Sequence, residues 1–276
     1  MSTVLINRKW SISATRSYLA CPRQWWLTRV ANVERTVSED SFQGQLMHAG
    51  LAAGYAEMGR AWAEGRNLQV VQRRGEVACE FGIAKEADRL AIDYEDGLVD
   101  TAVRALMHLG PRQDDQVVGV ERDMDLRVDG VPIGYRADVV YRRGGVLVVR
   151  DWKSRKSLPK ARDLPRDWQL ALGALAVART YGETVVRVEL ASINGATSVA
   201  FPITAQAAQA AGRIVAETAR TAEADTECLP LPGAACNDCK VVAHCTVYAK
   251  PNTVILTPFP DGSPASTAVI DIEVDA

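Results

Sequence analysis

The chain has 276 residues, of which 47% are hydrophobic and 24% charged, as in a globular protein with ample material for a core. No apolar run approaches the ~18 residues of a membrane span, and the first residues, MSTVLINRKW, lack the apolar stretch of a signal peptide. We therefore expect a cytoplasmic protein with no membrane partner. The net charge of −2 excludes a uniformly basic surface, although local basic stretches remain compatible with it.

The first part of the sequence is predicted to be helical. One helix is expected over 11–30, with a break near Cys21 as the alternative because Pro22 follows it. Ala-rich segments with helical periodicity predict two more helices, over 41–65 and 84–109.

The periodicity changes near residue 115, where Val- and Ile-rich runs begin. Strands are predicted over 116–128, 131–141 and 146–152. The dipeptides Asp129-Gly130 and Gly144-Gly145 separate them and favour tight antiparallel hairpins. A helix over 168–181, strands over 185–192 and 198–202, and a helix over 204–223 follow. The order of elements predicts an α+β fold.

Four regions follow from this layout. Residues 1–110 form a helical N-terminal region containing Cys21 and His48, and residues 111–225 form the core. Residues 226–250 are rich in cysteine. Residues 251–276 form an acidic tail with four carboxylates and no Lys or Arg.

Two carboxylates and a lysine are predicted to converge on neighbouring strands. Asp151 and Lys153 are two residues apart and point to the same face of a strand. If the hairpin turns at Gly144-Gly145, Asp138 lies close to Asp151. Hard oxygen ligands in this arrangement suit Mg²⁺ or Mn²⁺, which polarises a phosphate and activates water. The alternative is an ordinary salt-bridged sheet surface.

A basic stretch surrounds these acids and favours a phosphodiester substrate. Ten basic residues stand against three acidic ones between positions 136 and 166, a local charge of +7. The ten are Arg136, Arg142, Arg143, Arg150, Lys153, Arg155, Lys156, Lys160, Arg162 and Arg166.

Three cysteines near the C-terminal end have metal-ligand spacing. Cys236, Cys239 and Cys245 form a C-x2-C-x5-C pattern that indicates a soft metal or an iron–sulfur cluster. A fourth ligand is needed, and either the nearby Cys228 or the distant Cys21 could provide it.

These motifs together resemble the RecB-type branch of the PD-(D/E)XK nuclease superfamily. The likeness holds especially for its iron–sulfur exonucleases, which include AddB and the CRISPR-associated RecB-like exonucleases. The segment from Ser11 to Cys21-Pro22 resembles the opening of that family, and Gly44-Gln-Leu-Met-His48 resembles its G-x-x-x-H box. Arg136-Ala-Asp138 and Asp151-Trp-Lys153 resemble its acidic motifs, and Gln169 heads its glutamine motif. That motif usually has a tyrosine four residues later, where this chain has Gly173.

The resemblance implies a restriction-endonuclease-like core, a central mixed sheet flanked by helices. It also implies a metal-dependent DNA exonuclease acting on single-stranded ends. Its metal ligands would be His48, Asp138 and Asp151, and its catalytic residues Asp138, Asp151, Lys153 and Gln169. A structural [4Fe–4S] cluster would be bound by Cys21, Cys236, Cys239 and Cys245.

The sequence leaves open one question about the metal site and two alternative functions. Glu121 could approach the metal through water, but the prediction leaves it outside the site. The rival function is a non-catalytic DNA-binding or assembly module with four cysteines around zinc. A further alternative is a nuclease that acts only in a complex with recombination or helicase proteins, because the sequence has no G-x-x-x-x-G-K-[ST] motif.

Overall fold

The computed structural model describes residues 9–33, 39–161, 163 and 167–247. It divides into two compact units. The first comprises the described residues within 9–15 and 39–224, and the second comprises those within 16–33 and 225–247. The predicted acidic tail, 251–276, lies outside the described residues. No helix within the described ranges is long and apolar enough to cross a membrane.

The first unit is built on a five-stranded mixed sheet. Its strands are β1 (Gln116–Val128), β2 (Val131–Arg143), β3 (Val146–Lys153), β4 (Val186–Ser192) and β5 (Thr197–Ile203), and they lie in sequence order. Only the β3–β4 pair is parallel. Both predicted hairpins are confirmed, since the residues of both turn dipeptides have positive φ, as a tight hairpin with two central residues requires.

Three helices cover one face of this sheet. They are α3 (Glu39–Ala63), α4 (Leu68–Leu90) and α5 (Asp96–Leu109). Leu51 and Tyr55 of α3 and Ile83 of α4 are fully buried in one core with Tyr141 and Trp152 of the sheet. This core fixes α3, and with it His48, against the strands that carry Asp138 and Asp151.

Two further helices, α6 (Trp168–Tyr181) and α7 (Ala205–Ala224), complete the first unit. Helix α6 connects the parallel strands β3 and β4, as a parallel pair requires. Asp167 caps its start by accepting hydrogen bonds from the backbone of Gln169 and Leu170. The predicted α+β class, a mixed sheet flanked by helices, is confirmed.

The helix prediction for 84–109 is wrong. Helix α4 begins at Leu68 and ends at Leu90, Ala91 adopts a left-handed C-cap conformation, and α5 begins only at Asp96. The segment 66–83, for which the sequence predicts no element, belongs largely to α4. In the N-terminal segment the alternative of a break is correct, because α1 (Ile12–Ala20) ends before Cys21 and α2 (Pro22–Arg29) starts after it.

In the second unit, α2 lies with the cysteine-rich segment, which contains two short 3₁₀ turns, Ala234–Cys236 and Val242–His244. Trp25 of α2 is buried and makes an edge-to-face contact with Tyr18 at 5.5 Å between ring centres. The Tyr18 hydroxyl donates a hydrogen bond to Asp225 Oδ2 at 2.8 Å.

Candidate metal centre and cysteine site

Asp138, in the middle of β2, and Asp151, near the end of β3, are neighbours because of the hairpin register. Val139 pairs with Arg150, so the two aspartates come next on their strands. The backbone N–H of Trp152 donates a hydrogen bond to Asp138 Oδ2 at 2.7 Å. This bond fixes the Asp138 carboxylate against the strand that carries Asp151.

The Asp151 side chain is held by two partners. It is buried, with one oxygen 2.6 Å from Lys153 Nζ and the other accepting a hydrogen bond from Gln169 Nε2 at 3.1 Å. Lys153 stands two residues along β3, on the same face, and Gln169 lies in the first turn of α6. The structure therefore brings Asp138, Asp151, Lys153 and Gln169 into one neighbourhood.

His48, Glu121 and Asp138 form a group with the spacing of metal ligands. One ligand atom from each lies within 4.8 Å of the other two. His48 projects from α3, and its Nδ1 is 3.7 Å from Asp138 Oδ2. One imidazole and two carboxylates are a donor set suited to Mn²⁺ or Mg²⁺, so the residues present fit such an ion. Asp151 is not part of this group of three, although it lies beside it.

Glu121 is the site residue that the prediction left out. It lies on β1 between Val120, which pairs with Val139, and Arg122, which pairs with Ala137, and so stands opposite Asp138. Its φ of 47° is the left-handed conformation, just after a register shift between Val117 and Gly119. Such irregularities often redirect a side chain next to an active site.

The electrostatics of the group favour a bound cation. Burial raises the pKa of Asp138, and repulsion by Asp151 raises it further, whereas His48 and Lys153 oppose the shift. Glu121 is exposed at the surface, but local desolvation and the Asp138 carboxylate raise its pKa to about 7. Both shifts arise because negative charges are crowded in a partly desolvated place, and a divalent cation would relieve that repulsion.

An open cleft adjoins His48 and Glu121. Arg136 also lines it, together with Glu86 and Arg89 of α4. Each arginine has a carboxylate partner: Arg136 pairs with Asp123, and Arg89 pairs with Glu86. The cleft is thus lined by both positively and negatively charged side chains next to the metal-ligand group.

The predicted basic surface is smaller than the sequence count of +7 indicates. Five of the ten cations are engaged in ion pairs, and Arg150 is also buried, while Arg162 and Arg166 lie outside the described residues. Arg155, Lys156 and Lys160 are exposed and form no ion pair within the described ranges. Among the described residues of this basic stretch, the cations without an ion pair therefore lie in the segment just after β3.

The buried Arg150 belongs to a network behind the site. Its Nε lies 2.8 Å from Glu189 Oε2, and its guanidinium also contacts the Leu109 carbonyl. The same guanidinium lies 5.0 to 5.3 Å from the ring centres of Tyr55, Tyr141 and Trp152. Since Arg150 immediately precedes Asp151, this network anchors the strand that carries the acidic motif.

Four cysteines converge in the second unit. Cys21, Cys236, Cys239 and Cys245 line one cavity. Burial raises the pKa of Cys239, and the other three cysteines of the cavity raise it further, although a backbone hydrogen bond from Val241 opposes the shift. No disulfide forms among the six cysteines, all of which are described.

Local structure positions Cys21 for this cavity. It is the N-cap of α2, with Pro22 in the first helical position. Its sulfur accepts hydrogen bonds from the backbone N–H of Gln24 at 3.5 Å and of Leu231 at 3.4 Å. Four thiols with backbone N–H groups directed at one sulfur fit a thiolate-bound metal or cluster. Cys228, the other candidate for fourth ligand, is buried at Asp225 and is not among the residues that line the cavity.

Comparison with known proteins gives one family match. The model of the PD-(D/E)XK nuclease superfamily matches residues 9–246. No curated protein matches the chain significantly. The chain resembles a crystal structure from Eubacterium rectale described as a candidate exonuclease, with 13% identity, a TM-score of 0.48, and coverage of 92% of this chain and 91% of that one. It also resembles the structure of SSO0001, with 13% identity, a TM-score of 0.34, and coverage of 78% and 99%.

Proposed function

The chain belongs to the PD-(D/E)XK nuclease superfamily, and from this premise we propose that it is a metal-dependent DNA exonuclease acting on single-stranded ends. One observation carries the proposal: His48, Glu121 and Asp138 have metal-ligand spacing directly beside the Asp151–Lys153 pair. A pure DNA-binding module would have no use for several crowded carboxylates next to the start of a basic segment of the chain.

His48, Glu121 and Asp138 would hold Mg²⁺ or Mn²⁺, with Asp151 as a further carboxylate on the side of Lys153. When bound, the ion supplies polarisation of the scissile phosphate and a lower pKa for a bound water. Glu121 is thereby added to the ligands expected from the sequence. The Trp152 N–H bond would keep Asp138 oriented toward the ion.

Lys153 and Gln169 would act around Asp151. Lys153 places a positive charge next to the carboxylates, where it can orient the attacking water or stabilise negative charge on phosphorus oxygens. Gln169 donates to Asp151 and so fixes the carboxylate that Lys153 faces. This is a positioning role for Gln169.

DNA would approach along the exposed cations after β3. Arg155, Lys156 and Lys160 are unpaired among the described residues, and they follow Lys153 directly in the chain. Such cations bind phosphates without reading sequence. A cytoplasmic location fits this substrate, and a partner from recombination or a helicase would have to supply any ATP-driven unwinding.

Cys21, Cys236, Cys239 and Cys245 would bind a [4Fe–4S] cluster, and this is supported by their convergence on one cavity. The cluster would have a structural role, joining α2 to the cysteine-rich segment within the second unit. Zinc bound to the same four thiolates is the competing occupant.

The test is single-turnover cleavage of an end-labelled single strand in Mn²⁺. Lys153→Ala should keep Mn²⁺ binding and lose about 10²–10³-fold in rate, because one preorganised charge is removed. Asp151→Asn should lose Mn²⁺ affinity and rate together. Lys85→Ala, an exposed lysine on α4, is the matched control and should cleave like the wild type. Equal rates for the wild type and Lys153→Ala would refute the nuclease proposal at this site and favour the zinc-containing binding module.

A further inference from the structure

Tyr135 of β2 occupies a space that exists because residue 173 is a glycine. The side chain is 8% exposed. A methyl group on the α-carbon of Gly173 would stand 2.4 Å from the Tyr135 hydroxyl oxygen and 2.8 Å from the ring carbon that bears it. Both distances are far below van der Waals contact, so the hydroxyl is admitted only by the absence of a side chain at this point of α6.

This space lies beside the candidate site. Gly173 follows Gln169 by four residues, so the two share one face of α6, one turn apart. Gln169 donates from that face to Asp151. The Tyr135 hydroxyl therefore stands one helical turn from the group that holds the Asp151 carboxylate.

Within the described parts of the chain the Tyr135 hydroxyl forms no hydrogen bond, and it does not belong to the fully enclosed polar atoms that lack a partner. Although the side chain is only 8% exposed, its hydroxyl is therefore accessible to solvent or to a bound ligand. Burial raises the pKa of Tyr135 well above its ordinary value, and the carboxylates of Asp151, Asp138 and Asp167 raise it further. The phenol is therefore a neutral O–H donor at neutral pH.

We propose that Tyr135 is a further catalytic residue, whose hydroxyl donates a hydrogen bond to a phosphate oxygen of the strand bound at the metal centre. The assignment rests on the proposed nuclease function. A neutral donor suits this position, because it contacts a negatively charged phosphate without adding a second cation that would compete with the metal ion for Asp138 and Asp151. The small size of Gly173 is then part of the site, since it leaves room for the phenol.

The experiment compares Tyr135→Phe with the wild type in single-turnover cleavage of the labelled strand in Mn²⁺. Removal of the hydroxyl should lower the rate about 10²-fold. Mn²⁺ binding should be unchanged, and so should the thermal melting curve. The matched control is Tyr181→Phe, which removes a phenol hydroxyl from the other end of α6 and should keep the wild-type rate. Wild-type cleavage by Tyr135→Phe would overturn the proposal.

A second variant tests the geometry from the opposite side. Gly173→Ala must displace the phenol, so this variant should also slow cleavage although Tyr135 is still present. A wild-type cleavage rate in Gly173→Ala would show that the hydroxyl is not needed at its present position. Lys153→Ala in the same assay distinguishes a failure of the nuclease function from a failure of the role of Tyr135. If the wild type does not cleave, the nuclease function fails and this inference fails with it. If the wild type cleaves, Lys153→Ala does not, and Tyr135→Phe is fully active, only the role of Tyr135 fails.

Discussion

Replacing Glu189 by Gln should destabilise the protein strongly, because it leaves the Arg150 charge buried without its counter-ion. Arg150 and Glu189 are 2% and 4% exposed. Glu189 accepts hydrogen bonds from Arg150 Nε at 2.8 Å, from the Tyr141 hydroxyl at 2.6 Å and from the Ser198 hydroxyl at 2.5 Å. A glutamine can keep some of these bonds, but it cannot balance the guanidinium charge.

The expected loss of folding stability in Glu189→Gln follows from the burial of this ion pair. Breaking a buried ion pair by neutralising one partner typically costs about 3–5 kcal/mol. Three aromatic rings remain around Arg150 and compensate part of the loss, so the low end, about 3 kcal/mol, is expected. For a unit of this size that corresponds to a fall in melting temperature of about 6–12 °C.

The assay is urea unfolding at neutral pH with Glu183→Gln as the matched control. Glu183 also pairs with an arginine of the sheet, Arg142 at 2.5 Å, but those side chains are 33% and 30% exposed. A pair this exposed contributes less than about 1 kcal/mol. Equal losses of unfolding free energy in the two variants would refute the reasoning that burial determines how much an ion pair contributes to stability.

Acid should remove the difference between wild type and Glu189→Gln. Burial alone would raise the pKa of Glu189, but Arg150 and the hydroxyls of Ser198 and Tyr141 lower it overall. A carboxylate with a lowered folded-state pKa contributes stability above its unfolded pKa of about 4.3, and that stability is lost as the pH falls through the folded value. A difference that persists undiminished in acid would contradict this account.

Three further predictions concern the proposed sites. The metal-free wild type should lose stability as the pH rises from about 4 to about 6, because a carboxylate whose folded-state pKa is raised binds its proton more tightly in the native state. Asp138→Asn should flatten this profile in thermal melts, and an unchanged slope would speak against a buried charge there. Anaerobically purified protein should be brown. Cys21→Ala should lose iron and stability, whereas Cys79→Ala, a change in the core of the first unit, should keep its iron. Equal iron content in the two variants, or zinc in the wild type, would contradict the iron–sulfur cluster. Charge reversal at Arg155 and Lys156 should weaken binding of all DNA sequences alike. It should also reduce the slope of log affinity against log salt concentration by roughly one unit per lost phosphate contact, as measured by fluorescence anisotropy over a salt series. An affinity that is insensitive to both charge reversals would place DNA on another surface.

The hairpins explain why much of the site could be predicted from the sequence. Asp129-Gly130 and Gly144-Gly145 have a strong preference for two-residue turns, and each turn fixes the register of its strands by counting. The neighbourhood of Asp138 and Asp151 follows directly from Gly144-Gly145. The same counting about Asp129-Gly130 puts Glu121 opposite Asp138, a signal that the sequence contained. What the sequence could not reveal is the left-handed conformation of Glu121, which tertiary structure imposes.

The part of helix α4 before residue 84 is not predicted from the sequence, because its packing demands residues that weaken a helical pattern. A methyl group on Gly75 would stand 2.4 Å from Met58, and one on Gly82 would stand 2.8 Å from the Ala49 carbonyl oxygen. These glycines let α3 and α4 approach closely, but glycine disfavours a helix by about 1 kcal/mol relative to alanine. Local propensity and tertiary packing therefore conflict in this segment, and a single sequence shows only the first.

The most direct test of the account is the dependence of cleavage on Mn²⁺ concentration in Glu121→Gln. If Glu121 is a metal ligand, the Mn²⁺ concentration at half-maximal single-turnover rate should rise at least about tenfold, in line with losses seen on disturbing groups around a metal. The control is Glu86→Gln, which changes a carboxylate that lines the same cleft but pairs with Arg89, and which should leave the midpoint unchanged. Coincident Mn²⁺ curves for the wild type and Glu121→Gln would contradict a metal centre formed by His48, Glu121 and Asp138.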